Sequence, residues 1–211
     1  MNRLPTWVRQ HIVGLAALLV FTVICGIVYP LVMTGIAQVA FHKQADGSLV
    51  SSNGRTVGSS LLCQEFVDAK GNPLPQYFQP RPSAAMQADV TNYGCNPEYS
   101  AASNLGPNNT DLIQAIKQRQ QQIVKLDHVK VSQIPPDAVT ASGSGLDPGI
   151  SPQNAAIQVN RVAAARHVSP AAVRALVSQY TQGRPLGFLG EPQVNVLLLN
   201  IALDQKYPVA H

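Results

Sequence analysis

The stretch TASGSGLDPGISP, residues 140–152, places three serines, three glycines and an Asp-Pro step within thirteen positions. Backbone this bare suits a phosphate cradle, a strained catalytic turn or a loop shaped for a close neighbour. Spacing tests each. A phosphate-binding loop requires G-x-x-x-x-G-K-[ST], and that string occurs nowhere in the chain. Gly143 and Gly145 begin the dinucleotide-binding pattern G-x-G-x-x-G, but Pro148 stands where the third glycine belongs. A nucleophile elbow needs glycines two residues either side of its serine, and Ser144 has Ser142 and Leu146 there. No catalytic residue is assigned.

Metal chemistry has no better footing. The five histidines, His11, His42, His128, His167 and His211, are scattered, and none stands three or four residues from another. Acids are few and widely spaced, so paired carboxylates are missing too. No metal and no directly bound cofactor is expected.

A structural reading remains. Asp147-Pro148 predicts a turn, Gly149 an unusual backbone angle, and Ser151 a cap on a helix whose first residue is Pro152. The exposed N-terminus of that helix would attract an anion or a partner's carboxylate. The glycine run before it asks for a closely approaching surface. Ser142, Gly143, Ser144, Gly145 and Asp147 are therefore the candidate partner contact.

Several elements must position this loop. Residues 42–108, rich in Gly, Pro, Asn and Ser, predict short strands or irregular segments joined by turns. Residues 109–126 predict a helix capped by Asn109 or Thr110, with Leu112, Ile113, Ile116, Ile123 and Val124 as its apolar stripe. Ser-Pro pairs at 151–152 and 169–170 start two more. The first runs to about Arg166 with Ala156, Val159 and Ala163 inward. The second runs to about Tyr180 with Val173, Leu176, Val177 and Tyr180 inward, and Gly183 breaks it. Residues 191–204 are the most apolar stretch after the N-terminal one, and their length favours a buried helix over a strand.

The strongest signal lies at the N-terminus. Ile12 to Phe41 is thirty residues without a charge, well beyond the roughly 20 that cross a bilayer core. It is too long for the apolar core of a cleaved signal peptide, and no A-x-A site closes it. Arg3 and Arg9 hold the short tail inside, so the following domain is expected outside. Thr22, Gly26, Pro30 and Thr34 recur every fourth residue along one side. This stripe fits close packing against another membrane helix, and equally the general abundance of Gly and Pro in such helices.

Charged residues make up only 12% of the 211 residues, about half the usual share. Residues 42–211 carry 13 Lys or Arg against 11 Asp or Glu. A net charge of +2 builds no basic stripe, and nucleic acid is excluded as a partner. Cys25 falls in the membrane. Cys63 and Cys95 either pair in an oxidising compartment or stand as separate thiols, the default while their separation is unknown. The whole predicts an α+β protein: tail 1–11, one transmembrane helix within 12–41, and a single mixed extracytoplasmic domain over 42–211, helix-rich in its C-terminal half.

Six blocks, GSSLLCQEF (58–66), YFQPRPSA (77–84), SNLGPNN (103–109), TASGSGLDPGISP (140–152), QVNRVAAAR (158–166) and GFLGEPQVNVLLLNIALD (187–204), follow one span in order. Together they resemble the C subunit of the bacterial Kdp-type potassium-transporting ATPase. Two departures stand out: Cys63 replaces a glycine, and CNPEYSAASNLG (95–106) lacks paired glycines before SNLG.

The resemblance implies a bacterial inner-membrane accessory subunit beside an ATP-hydrolysing P-type subunit and a channel-like potassium-conducting subunit. It further implies a role in assembly and as a catalytic chaperone raising the ATPase subunit's affinity for ATP. No D-K-T-G phosphorylation motif is present, as expected of an accessory. A domain outside the membrane cannot touch cytosolic ATP, so that effect would pass through the membrane subunits, unless the orientation is reversed. The competing classes are a membrane-anchored envelope enzyme, which needs a catalytic constellation, and a free-standing binding module, which acts without partners.

Overall fold

A computed structural model describes residues 4–85 and 95–209. Arg3 and His211 lie outside the described residues. The chain divides into two compact units, residues 1–49 and 50–211.

The first unit holds one long helix, α1 (Thr6–Ala40), long and apolar enough to cross a membrane, followed by a single helical turn at His42–Ala45. It starts six residues earlier than the uncharged run. Its hydrogen-bond ladder widens into a π turn over Ile24–Val28. Pro30 lacks the N–H that would bond back to Gly26, and a widened turn absorbs that loss. Thr22 and Gly26 stay on one face: a Cβ on Gly26 would meet only the Thr22 methyl, at 3.9 Å. Pro30 and Thr34 are exposed with them.

The second unit opens with a hairpin, β1 (Leu49–Ser52) and β2 (Arg55–Ser59). Asn53 and Gly54 both take positive φ, as a two-residue hairpin turn demands. After irregular chain comes α2 (Thr110–Asp127), capped by Asn109, whose side chain accepts from the Asp111 N–H. Of its predicted stripe, Ile123 is buried, while Ile113 is exposed.

β3 (Gly149–Ile150) leads into α3 (Pro152–Ala165) and α4 (Pro170–Gln179). Ser151 and Ser169 cap these helices as predicted, accepting from the N–H groups of Asn154 and Ala172. Ala155, not Ala156, joins Val159 and Ala163 inside α3. Val173, Leu176 and Val177 of α4 are buried as predicted, with Tyr180 packed beside them.

The segment predicted as one helix over 191–204 divides. β4 (Thr181–Gln182) follows α4, and β5 (Gln193–Asn195) pairs antiparallel with both β4 and β3 before α5 (Val196–Lys206) begins. Asn195 makes the switch. Its side chain accepts from the Leu198 N–H and donates to Ser60 O. Phe78, Ile150, Val159, Val162, Val173, Val194, Leu199 and Leu203 form the main core. The mixed helix and sheet prediction holds, with helices concentrated after residue 109.

Residues 74–79 reach this interior at Phe78 and Gln79 outside any named strand, and side chains bond much of their backbone. Asn200 accepts from the Phe78 N–H and donates to the Phe78 carbonyl, both at 2.9 Å. Gln158 does the same for Gln79, at 2.7 and 3.2 Å. Arg161 donates to the Pro75 and Tyr77 carbonyls at 2.8 Å and Arg166 to Gln76 O at 2.7 Å. Arg161 is itself paired with Asp127 of α2 at 2.7 Å, both side chains almost wholly buried. Burial pushes the Asp127 carboxyl above its usual range, opposed by the Arg161 charge. Tyr77 is likewise raised, by burial and then by Asp204.

Arg161→Met would leave a buried carboxylate alone and cost about 3–5 kcal/mol. Asp127→Asn should cost less than half of that, because Arg161 keeps its carbonyl partners. The raised Asp127 pKa means the folded state holds this proton more tightly than the unfolded chain. Stability should therefore fall as pH rises from near 4 through the folded pKa, and Asp127→Asn should flatten that segment. Thermal melts of the detergent-solubilised chain across pH check both.

Candidate partner interface

The glycine-rich loop finds its closely approaching surface inside the chain. Gly145 has φ of +73°, and a Cβ there would lie 2.7 Å from Ala101 O, 2.7 Å from Ala85 Cβ and 2.9 Å from Ser83 Oγ. Ser142 is buried, its N–H bonded to Pro82 O and its hydroxyl accepting from the Gly145 N–H at 2.9 Å. Ser83 Oγ donates to Gly145 O at 2.7 Å. Both Ser100 Oγ and the Ala101 N–H donate to Ser144 O. Cys63 N–H reaches Leu146 O at 3.0 Å.

The unusual backbone angle belongs to Gly145, not to Gly149. At Gly149 a Cβ would meet the end of the Gln193 side chain across the β3–β5 pair, which that flexible side chain can yield to. Asp147 accepts from the Gly149 N–H, as its turn requires, and from Arg81 at 2.8 Å. Of the five residues singled out from sequence, Gly143 and Ser144 are exposed, Asp147 is half-buried, and Ser142 and Gly145 face inward.

The anion expected at the start of α3 is also internal. The Asp137 carboxylate accepts from the Ser151 N–H and hydroxyl at 2.8 Å and from the Asn154 amide at 3.1 Å. A carboxylate there complements the helix dipole. Sequence reading missed Asp137, fourteen residues upstream, because nothing local links it to Ser151.

Cys63 and Cys95 form a disulfide, with Cα atoms 5.9 Å apart. This replaces the default of two separate thiols. Cys25 is free and exposed on α1. Among the described residues no group of three His, Cys, Asp or Glu could hold a metal ion. The cavity bordered by Gln79, Asp127, Asn154 and Gln158 has about 10 Å³, room for one water.

A family model described as "K+-transporting ATPase, c chain" matches residues 11–205. The chain belongs to this family. It is 52% identical over 191 residues to a protein of Sorangium cellulosum, covering 90% of this chain and 95% of that one. It is 51% identical over 183 residues to one of Dechloromonas aromatica, covering 87% and 90%. A third, of Kineococcus radiotolerans, is 48% identical over 205 residues, covering 97% and 98%. Each bears the name "Potassium-transporting ATPase KdpC subunit".

Gly145→Ala combines a left-handed backbone with contacts below 3 Å and should destabilise the chain by about 2–4 kcal/mol. Gly143→Ala meets nothing within 4 Å and should change stability by less than about 0.5 kcal/mol. Paired thermal melts distinguish the two.

Proposed function

We propose that this chain is the non-catalytic accessory subunit of a potassium-transporting ATPase complex, anchored in the bacterial inner membrane by α1. The family match over residues 11–205 carries this reading. Its partners are an ATP-hydrolysing P-type subunit and a channel-like, potassium-conducting subunit. The N-terminus is cytoplasmic and residues 42–211 are periplasmic. Arg9, before the uncharged run, supports that orientation. So does the Cys63–Cys95 disulfide, a bond that persists in oxidising compartments.

In this arrangement the domain raises the ATPase subunit's affinity for ATP from a distance, through contacts with the membrane subunits. No nucleotide-binding residue is assigned. A net charge of +2 over residues 42–211 does not concentrate cations by its field, so the domain's contribution is to assembly and gating. The exposed Gly143–Ser144 edge, with Ser142, Gly145 and Asp147 behind it, contacts a partner subunit. Thr22, Gly26, Pro30 and Thr34 face a neighbouring membrane helix.

Copurification tests the role: the tagged chain should bring down two larger membrane proteins with potassium-stimulated ATPase activity. A chain recovered alone would refute the subunit reading. Cysteine at Ser144 should react with an impermeant outside reagent in the isolated chain and be shielded in the complex. Reaction only from the cytoplasmic side would invert the topology. In the membrane, Gly26→Leu should lower complex yield severalfold without affecting insertion, whereas Val20→Leu should not. Equal yields would mean the stripe packs against lipid.

A further inference from the structure

Residues 95–108, which lead into α2, form a strap that touches the exposed edge of the glycine-rich loop. None of them is buried: Cys95, Asn96, Ala101 and Ala102 are half-buried and the rest exposed. The strap therefore has no apolar anchor in the core, and segments of this kind open at little cost. Polar contacts hold it. Ser100 Oγ and the Ala101 N–H both donate to Ser144 O, at 2.8 and 3.0 Å. The Cys95 N–H donates to the Glu65 carboxylate at 3.2 Å. Such contacts replace bonds to water, so each adds little. The remaining tie is covalent, the bond from Cys95 to Cys63.

Cys63 is itself bonded to the loop. Its N–H reaches Leu146 O at 3.0 Å, and its Sγ lies 3.4 Å from Gly145 O. The disulfide closes a ring that runs from Cys63 to Cys95, along the strap to Ala101, across to Ser144, and through Gly145 and Leu146 back to Cys63. With Cys95 fixed, Ala101 stands only six residues from a covalent anchor. A tether that short keeps it near Ser144 at high effective concentration. Opening the bond removes that anchor and leaves the hydrogen bonds to hold the strap by themselves.

We infer that Cys63 and Cys95 are a redox latch, which a disulfide oxidant must close before the glycine-rich loop and its strap present a fixed edge. The inference rests on the reading above in which the Gly143–Ser144 edge contacts a partner subunit. The co-substrate is a thiol–disulfide couple. On closing, the two thiols lose two protons and two electrons and form one S–S bond. The oxidant's own S–S bond breaks, takes up both electrons and both protons, and leaves as two thiols. The exchange passes through a mixed disulfide. Cys95 is half-buried and Cys63 buried, so Cys95 is the residue that an external thiol or disulfide reaches. In the open form the Cys63 thiol finds an acceptor already in place, Gly145 O. The interior thus accommodates the dithiol, and the loss of order falls on the strap. A surface fixed in advance binds with less ordering cost than a loose one, so the closed latch is the form that joins the complex.

The test begins with amide hydrogen exchange on the isolated full chain, before and after reduction by dithiothreitol. The Ala101 amide should exchange about tenfold faster once reduced. The Phe78 amide, bonded to Asn200 in the core, should stay protected. Glutathione disulfide should restore slow exchange at Ala101 in the reduced chain but not in Cys63→Ser/Cys95→Ser. In competition for the partner subunits, the reduced chain and the double variant should each be incorporated about tenfold less than the oxidised chain. Reoxidation should rescue only the former. Unchanged exchange at Ala101 on reduction, or equal incorporation, would overturn the latch. Loss of protection at Phe78 along with Ala101 would overturn it too, because the bond would then be a general staple of the domain. In all these outcomes the oxidised chain still assembles. Failure of that chain to copurify with any partner would instead overturn the subunit reading, and the latch's part in assembly with it.

Discussion

The second unit depends on one awkward piece of backbone. Residues 74–79 carry the chain to the buried Phe78 and Gln79 with no named strand to bond them, and each buried N–H or carbonyl left alone would cost about 1–3 kcal/mol. The chain meets this with side chains from two helices. Asn200 of α5 and Gln158 of α3 act as amide surrogates for a neighbouring strand, each bonding both polar groups of one residue. Arg161, and Arg166 just beyond α3, take carbonyls that remain. Because amide bonds tolerate little misalignment, these contacts set where α3 and α5 stand relative to the segment. Asp127 extends the network to α2 through Arg161, and Asp204 extends it to the end of α5 through Arg166.

The same economy governs the glycine-rich loop. Its small residues serve internal packing, with segments 83–85 and 100–101 approaching closely enough to exclude a side chain at Gly145. The helix start beyond it receives an internal carboxylate from Asp137. The disulfide from Cys63 to Cys95 crosslinks residues 63 and 95, and the Cys63 N–H bonds the loop itself at Leu146. What the loop can offer a partner is its exposed edge at Gly143 and Ser144.

Much of the architecture was legible in sequence because it rests on local physics. Thirty uncharged residues announce a helix long and apolar enough to cross a membrane, whatever follows them. The Ser-Pro pairs and Asn109 act within one helical turn, and all three cap as predicted. The missed features share a different character. The strand at 193–195 was hidden in an apolar run because period alone does not separate a short buried strand from a helix. Asn195, a capping residue inside that run, was the available signal. Polar Gln158 and Arg161, in step with the inward-facing Val159 and Val162, likewise marked a buried network.

By itself, the sequence determined the long apolar helix, the helix starts, the absence of phosphate-loop spacing and the membership in a family, since each depends on residue type at short separation. Tertiary structure alone decided that Cys63 meets Cys95, that Asp137 rather than an outside anion sits at the start of α3, and that Gly145 rather than Gly149 carries the left-handed angle. The contacts behind them join positions from fourteen to about sixty residues apart. Such pairs form only when the burial of one segment brings the other within bonding distance, and no local pattern records that.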